Sequence, residues 1–123
     1  MRKPILITMA ASLSVLVVAC ATAQDKSAAA SSASAIEQGK KIAFDRKKGN
    51  CLACHQIAGG TLPGDIGPPL VAMKARYPDK AKLRAQIWDA RKKNPHTIMP
   101  PFGPHHILSE KEIDLVTDFI YSL

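Results

Sequence analysis

The chain has 123 residues, of which 46% are hydrophobic and only six are aromatic. This length allows one domain and excludes a barrel enzyme or a dinucleotide-binding fold with a separate substrate domain. The 17 basic residues against 10 acidic ones give a net charge of +7, and three cysteines are too few for a disulfide scaffold.

Residues 1–23 have the pattern of a secretory signal peptide. Two basic residues precede an apolar stretch that is short for a bilayer span, and a small-residue cleavage site, Ala21-Thr22-Ala23, follows. An alternative cleavage lies before Cys20, because Val17-Val18-Ala19-Cys20 resembles a lipoprotein box. Both cleavages predict export to the periplasm, with membrane attachment only if Cys20 is lipidated.

Residues 24–35 are rich in Ala and Ser and lack large apolar side chains. Such a segment cannot bury enough surface to order itself, so we predict a tether. The domain then comprises residues 36–123. A core of this size often needs a metal, disulfides or a cofactor to stabilise it.

Three helices are predicted before the proline-rich region. A capping box at Ser34 and Glu37 predicts a helix over 35–46. A short helix is expected from Pro68 and Pro69 through Tyr77, because proline suits the first helical position. A third helix is predicted over 79–92. Its apolar stripe comprises Leu83, Ile87 and Ala90.

Residues 94–106 contain four prolines and predict an irregular strap. A second capping box, Ser109 and Glu112, begins the best-defined helix. Its apolar positions are Ile113, Val116, Ile120 and Leu123. No alternating strand pattern is present, so the predicted fold class is all-α, small and rich in loops.

Cys51-Leu52-Ala53-Cys54-His55 is the attachment signature of a c-type haem. On a helical turn Cys51, Cys54 and His55 face one way, so two thiols can reach the porphyrin edge while the imidazole binds the iron. A redox dithiol or half of a zinc site are the alternatives. A dithiol enzyme favours a βαβ context and zinc needs further ligands, so one covalent haem is predicted. The apolar porphyrin would also enlarge the hydrophobic core of this small domain.

Met99 is the predicted sixth ligand. It precedes Pro100, which keeps it out of the helical region, and a stiff strap suits a loop over the open haem face. The alternative is that Met99 only fills the core. The other candidates are Met73, expected to be packing, and His96, His105 and His106, expected to be polar strap residues.

Ligation by His55 and Met99 leaves no vacant position on the iron, which predicts electron transfer rather than chemistry at the metal. The neutral sulfur favours the reduced iron. Trp88 is a candidate contact to a haem propionate through its N–H, with Arg91 nearby, although Trp88 also suits plain core packing.

The sequence resembles the class I cytochromes c. Gly39, with Phe119 or Tyr121, matches their crossing pair of terminal helices, and Gly67-Pro68-Pro69-Leu70 matches the loop after the haem motif. The resemblance implies a small helical fold around one covalent haem. It also implies that the Pro68 carbonyl accepts a hydrogen bond from the proximal histidine and that Leu70 packs on the ring.

Four segments in order are similar to the SoxX family, a subunit of the SoxAX cytochromes of sulfur-oxidising bacteria. They are Gly49 to His55, Gly64 to Pro68, Ile87 to Asp89 and Asn94 to Gly103. This resemblance implies a heterodimer with a SoxA-like cytochrome, in an enzyme that couples thiosulfate oxidatively to a cysteine of a SoxY-like carrier. The catalytic site is expected on SoxA, and this chain would pass electrons to a soluble acceptor.

Two other functions stay open, a free-standing electron carrier and a haem gas sensor. A basic segment between residues 74 and 93 is either a solvated face or a docking rim for an acidic partner. Export and the lack of interleaved aromatic residues argue against a nucleic-acid partner.

Overall fold

A computed structural model describes residues 19–123, with side chains from residue 28 onward. The predicted signal segment falls largely on residues 1–18, outside the described residues, and its cleavage stays a prediction. Within the described part the chain is helical and contains no strand, which confirms the all-α prediction. The helices are α1 (Ala19–Phe44), α2 (Met73–Arg76), α3 (Lys80–Trp88) and α4 (Glu110–Tyr121), with single 3₁₀ turns at Cys51–Ala53 and Ala90–Lys92.

The first helix is longer than predicted. It runs through the predicted tether, and residues 28–34 are exposed along it. Alanine has the highest helix propensity, so the Ala-rich segment can continue the packed helix although residues 28–34 are exposed. Ser34 is therefore not an N-cap; its hydroxyl accepts a hydrogen bond from Gln38 Nε2 at 3.2 Å. No helix in residues 19–123 is long and apolar enough to cross a bilayer.

The crossing of α1 and α4 depends on Gly39. A Cβ at this position would lie 1.9 Å from the Leu115 carbonyl oxygen and 3.0 Å from Phe119 Cβ. The two backbones therefore approach more closely than any larger residue allows. One turn along, the Phe44 and Phe119 rings meet edge to face with centroids 5.7 Å apart. Phe119 is thus the aromatic partner in this crossing.

The capping box that begins α4 is present as predicted. The Glu112 N–H donates to Ser109 Oγ at 3.3 Å, and the Ser109 N–H donates to Glu112 Oε2 at 3.0 Å. The other carboxylate oxygen of Glu112 accepts from Lys48. Lys48 and the hydrogen bonds from Ser109 lower the pKa of Glu112 to about 2. This network ties the loop before the cysteine motif to α4.

Two predicted helices are shorter in the structure. Residues 68–72 are not helical because Ala72 has a left-handed backbone (φ 51°), from which a right-handed helix begins only at residue 73. The predicted helix over 79–92 stops at Trp88 because Asp89 is extended (φ −156°). The Asp89 carboxylate accepts from the Arg91 N–H at 3.2 Å and starts the 3₁₀ turn there.

Ion pairs join α3 to α4. Arg84 Nε lies 2.5 Å from Asp114 Oδ1, its Nη2 lies 3.5 Å from Glu110 Oε2, and Lys80 pairs with Asp118. Part of the basic segment therefore pairs with acidic residues of the same chain, in ion pairs that are partly exposed to solvent.

The core lies between the helices and the strap. Leu83, Ile87 and Ala90 are buried, as the predicted stripe requires, and so are Ile113, Val116 and Ile120 of α4. Residues 94–106 form no helix, as expected of the strap, and Phe102 anchors it in the core.

Candidate functional site

The cysteine motif forms one tight turn. Asn50 has a left-handed backbone (φ 46°), the turn covers Cys51–Ala53, and the His55 N–H donates to the Cys51 carbonyl at 2.9 Å. Cys51, Cys54 and His55 all line one cavity, and both thiols are free. Burial raises the pKa of the Cys51 thiol to about 11.

The His55 ring is held by the loop that follows. Its Nδ1 lies 2.7 Å from the Pro68 carbonyl oxygen, which is the contact that the resemblance to cytochromes c implies. Because the carbonyl only accepts, Nδ1 carries the proton and Nε2 is left as the free ligating atom. Gly67 lies against the same ring, since a Cβ there would be 2.3 Å from Cε1.

The loop itself is fastened to the motif on both sides of the prolines. The Gly67 N–H donates to the Cys54 carbonyl at 2.7 Å, and the Leu70 N–H donates to the Gln56 carbonyl at 2.9 Å. Leu70 lines the cavity, as expected of a residue that packs on a bound ring.

Met99 lies on the wall of the same cavity, in the proline-rich strap. Its N–H donates to Thr97 Oγ1 at 3.1 Å, so the strap is held on the N-terminal side of Met99 as well as by Pro100. Met73 also lines the cavity, but it is 1% exposed and its sulfur lies 3.4 Å from Arg76 Nη1. The structure thus brings Cys51, Cys54, His55 and Met99 to one cavity.

The cavity has a volume of about 680 Å³ and is open on one side. Core residues from three helices and the strap form much of its wall. They are Met73, Leu83, Ile87, Phe102, Val116 and Ile120.

These residues fit a covalent haem. Two free thiols one turn apart, an imidazole with its outer nitrogen already hydrogen-bonded, a thioether and an apolar wall form the donor set and surroundings that such a group requires. When bound, haem contributes a one-electron iron couple. The chain orients His55, and the apolar cavity wall would cover the porphyrin and limit the access of water to the iron.

Trp88 and Arg91 do not line this cavity, and their predicted contact with a haem propionate stays a prediction. The Trp88 ring lies against Gly103, where a Cβ would be 2.2 Å from Cδ2, and the Arg84 guanidinium lies 5.6 Å from its centroid. Arg91 binds Asp89 through Nε at 2.8 Å and Nη2 at 3.0 Å. The Arg91 guanidinium is therefore paired with Asp89, and the Trp88 ring is packed between Gly103 and Arg84.

The three strap histidines are exposed, and His96 alone among them lines the cavity. The structure also reveals cavity residues to which the sequence gave no role at a haem site, namely Arg46, Lys47, Lys48, Arg76 and Tyr77. No local motif marks them. Their position follows only from how the loops return to the turn at Cys51.

Comparison with known proteins identifies the family. Residues 36–123 match the family model for cytochrome c. The chain belongs to the cytochrome c family. Covalently bound haem c and electron transfer follow from that membership together with the cysteine motif. No curated protein matches the sequence.

Among solved structures, this cytochrome is similar to a chain of SoxXA from P. pantotrophus. The identity is 29%, the match covers 70% of this chain and 79% of that chain, and the TM-score is 0.63. The protein is thus a SoxX-like class I cytochrome c.

Proposed function

We propose that this cytochrome binds one haem c through Cys51 and Cys54, with His55 and Met99 as axial ligands. The proposal is supported by the single cavity that all four side chains line. With both axial positions filled by the protein, substrate has no access to the iron. Transfer of single electrons is then the only role left to the site.

We further infer that the cytochrome is the electron-transfer subunit of a SoxAX-type L-cysteine S-thiosulfotransferase. The similarity to SoxXA carries this step. Joining the terminal sulfur of thiosulfate to a carrier cysteine forms an S–S bond and releases two electrons and the thiol proton. This chain takes the two electrons one at a time from a SoxA-like haem and passes them to a soluble acceptor.

The cavity mouth supports an association through this face. Ile66 and Ile98, both on the cavity wall, are 64% and 72% exposed. Large apolar side chains that stay exposed once haem fills the cavity would form a partner surface. Arg46 and Lys47 line the same cavity, so a partner with an apolar centre and a carboxylate rim fits this face best.

Co-expression tests the proposed partnership. An affinity-tagged cytochrome, expressed with the SoxA-like cytochrome from the same source, is expected to elute with it as a stable 1:1 complex. Ile98→Ser, at the most exposed apolar position of the mouth, is expected to weaken the complex, whereas Leu62→Ser, which is 90% exposed but not on the cavity wall, is expected to leave it unchanged.

The alternative functions give different results in the same preparation. A monodisperse monomer from cells that express both proteins would indicate a free-standing carrier. Rapid carbon monoxide binding by the reduced protein at neutral pH would indicate a gas sensor with a replaceable sixth ligand.

We place the mature cytochrome in the periplasm because of its predicted signal segment. The intact mass of the purified protein tests this together with the haem number, since it reports haem addition, the cleavage site and any lipid on Cys20.

A further inference from the structure

Trp88, the last residue of α3, contacts the strap just after Met99. The Gly103 N–H donates to the Trp88 carbonyl at 3.1 Å. A Cβ at Gly103 would lie 2.2 Å from Cδ2 and 2.3 Å from Cε2 of the indole ring. The backbone of Gly103 is not in the left-handed region, so its conformation suits alanine and the ring is what excludes a side chain there. Gly103 therefore permits a close contact between the strap and Trp88.

The chain between Met99 and Gly103 is stiff. Pro100 and Pro101 follow Met99, and their rings fix φ at about −65°. Phe102 comes next and is buried in the core. Little of a displacement at Gly103 can be absorbed along such a segment, so the position of Gly103 bears on the position of Met99.

Trp88 is itself held in place. The Arg84 guanidinium lies 5.6 Å from the centroid of its ring, and Arg84 Nε lies 2.5 Å from Asp114 Oδ1 of α4. The two chain neighbours of Trp88, Ile87 and Asp89, are buried. The strap is thus fastened at Gly103 to a residue that α3 and α4 both support.

We propose that Trp88 is a positioning residue for Met99. Its ring and carbonyl hold the Gly103 end of the strap, which keeps the Met99 sulfur over the open haem face and excludes ligands from solvent. The inference rests on Met99 being the sixth ligand, as in the proposed function. The competing explanation is that Trp88 acts only through its N–H, as a donor to a haem propionate.

The test measures imidazole binding to the oxidised, haem-loaded protein. Imidazole reaches the iron only in molecules whose strap has opened, so its apparent affinity rises in proportion to the opened fraction. Trp88→Leu removes the aromatic ring from Gly103 and is expected to raise this affinity by about tenfold, which corresponds to about 1.4 kcal/mol. The far-red band of sulfur bound to oxidised iron is expected to weaken in the same variant.

Two further variants separate the ring from its N–H. Trp88→Phe keeps an aromatic ring but lacks the indole donor, so its affinity for imidazole is expected to lie closer to that of the wild type than to that of Trp88→Leu. Gly103→Ala leaves Trp88 intact but forces the strap off the ring, so it is expected to raise the affinity as Trp88→Leu does.

Tyr121→Leu is the matched control. Tyr121 is also a half-buried aromatic residue, but its hydroxyl donates to the Pro78 carbonyl at 3.2 Å, and it does not line the cavity. Its replacement is expected to leave the affinity for imidazole unchanged.

The backbone N–H of Gly103 reports the strap contact independently of the iron ligand. Its exchange with solvent, followed by NMR, is expected to be faster in Trp88→Leu than in Tyr121→Leu, because the strap opens more often without the ring. Wild-type affinity for imidazole and wild-type Gly103 exchange in Trp88→Leu would overturn the proposal. So would wild-type affinity in Gly103→Ala combined with equal affinities in Trp88→Phe and Trp88→Leu, which would assign the effect to the N–H.

Failure to fold and failure of the proposed function give separate results. Should Trp88→Leu not accumulate with haem, Gly103→Ala decides: raised affinity supports the proposal, and wild-type affinity overturns it. A wild-type protein without the far-red band would refute Met99 ligation in the proposed function. Gly103 exchange would still decide whether Trp88 holds the strap.

Discussion

The backbone around Met99 is held on both sides. Pro100 excludes the helical region for Met99, and the Met99 N–H donates to Thr97 Oγ1 at 3.1 Å. A flexible thioether on such a segment loses less freedom on binding a metal than one on a mobile loop would. Met99 therefore offers a soft sulfur ligand on a backbone segment that is already constrained.

Met99→Ala is expected to lower the reduction potential, because the neutral sulfur that stabilises the reduced iron is lost. It is also expected to abolish the weak far-red absorption band of sulfur bound to oxidised iron. Potentiometric titration and the spectrum of the oxidised protein measure the two effects. Met73→Leu is the control, since Met73 lines the same cavity but is predicted to be packing. A far-red band that survives in Met99→Ala and disappears in Met73→Leu would reverse the assignment.

Single residues were predictable where the chemistry is local. Cys51, Cys54 and His55 follow from one five-residue motif, and the structure places them on one turn beside a cavity. Arg76 carries no such signal, because its hydrogen bond to Pro69 exists only once α2 folds back along the loop. For Trp88 the structure shows the ring against Gly103, and the contact of its N–H with a propionate stays a prediction.

The helices differ in how far their own sequences determine them. The capping box determines where α4 starts, and the apolar spacing determines which of its faces is buried. Both follow from the local sequence. The predicted first helix is too short. The Ala- and Ser-rich segment buries little surface, which predicts a tether, but the high helix propensity of alanine lets an existing helix continue through it. The end of α3 depends on an extended residue, Asp89, that carries no proline or glycine signal.

Gly39→Ala tests the crossing of α1 and α4. The added methyl group would overlap the Leu115 carbonyl, and such overpacking costs about 3 kcal/mol. The gain in helix propensity from Gly to Ala offsets about 1 kcal/mol. We therefore expect a net loss of about 2 kcal/mol in the free energy of unfolding, measured by urea titration. Gln38→Ala, on the exposed side of the same turn, is expected to change it by less than about 0.5 kcal/mol. Equal stability of the two variants would show that the helices can separate freely here.

The link between the loop at Lys48 and α4 predicts a pH dependence. The pKa of Glu112 is about 2 in the folded protein against an ordinary value of 4.5. A lowered carboxyl pKa stabilises the fold above the ordinary value, and this stabilisation is lost as the pH falls from 4.5 towards 2. Glu112→Gln is thus expected to be less stable than the wild type by about 1 kcal/mol at pH 7, since the Lys48 partner is exposed, and equally stable near pH 2.

Denaturant titrations at pH 7, 5, 3 and 2 follow this difference. Glu110→Gln serves as the control, because it removes a charge from the same first turn of α4 and loses only the ion pair with Arg84, without touching the capping box. A stability difference for Glu112→Gln that stays constant from pH 7 to pH 2 would contradict the role of the ionised carboxylate.

At the scale of the whole molecule, the core and the cofactor cavity are one structure. Met73, Leu83, Ile87, Phe102, Val116 and Ile120 are buried by their neighbours and at the same time line the cavity. The size of the domain predicts that it needs a metal, disulfides or a cofactor to stabilise it. It does not predict that six core residues would line the cavity for that group. That arrangement requires helices and strap to be placed relative to one another, which no local pattern specifies.

The haem-free chain is therefore expected not to fold cooperatively. Without haem, the six core side chains that line this cavity of about 680 Å³ lose their packing partner. A domain is stabilised by only about 5–15 kcal/mol, so the loss of these contacts is expected to abolish cooperative folding. The double variant Cys51→Ser, Cys54→Ser, which cannot attach haem covalently, is expected to lose its near-ultraviolet circular dichroism and its sharp thermal transition while keeping part of its helix content. Ala58→Ser, an exposed substitution outside the cavity, is expected to melt like the wild type. A sharp transition in the haem-free double variant would mean that the core closes over the empty volume, and that the four helices alone are enough to specify the fold.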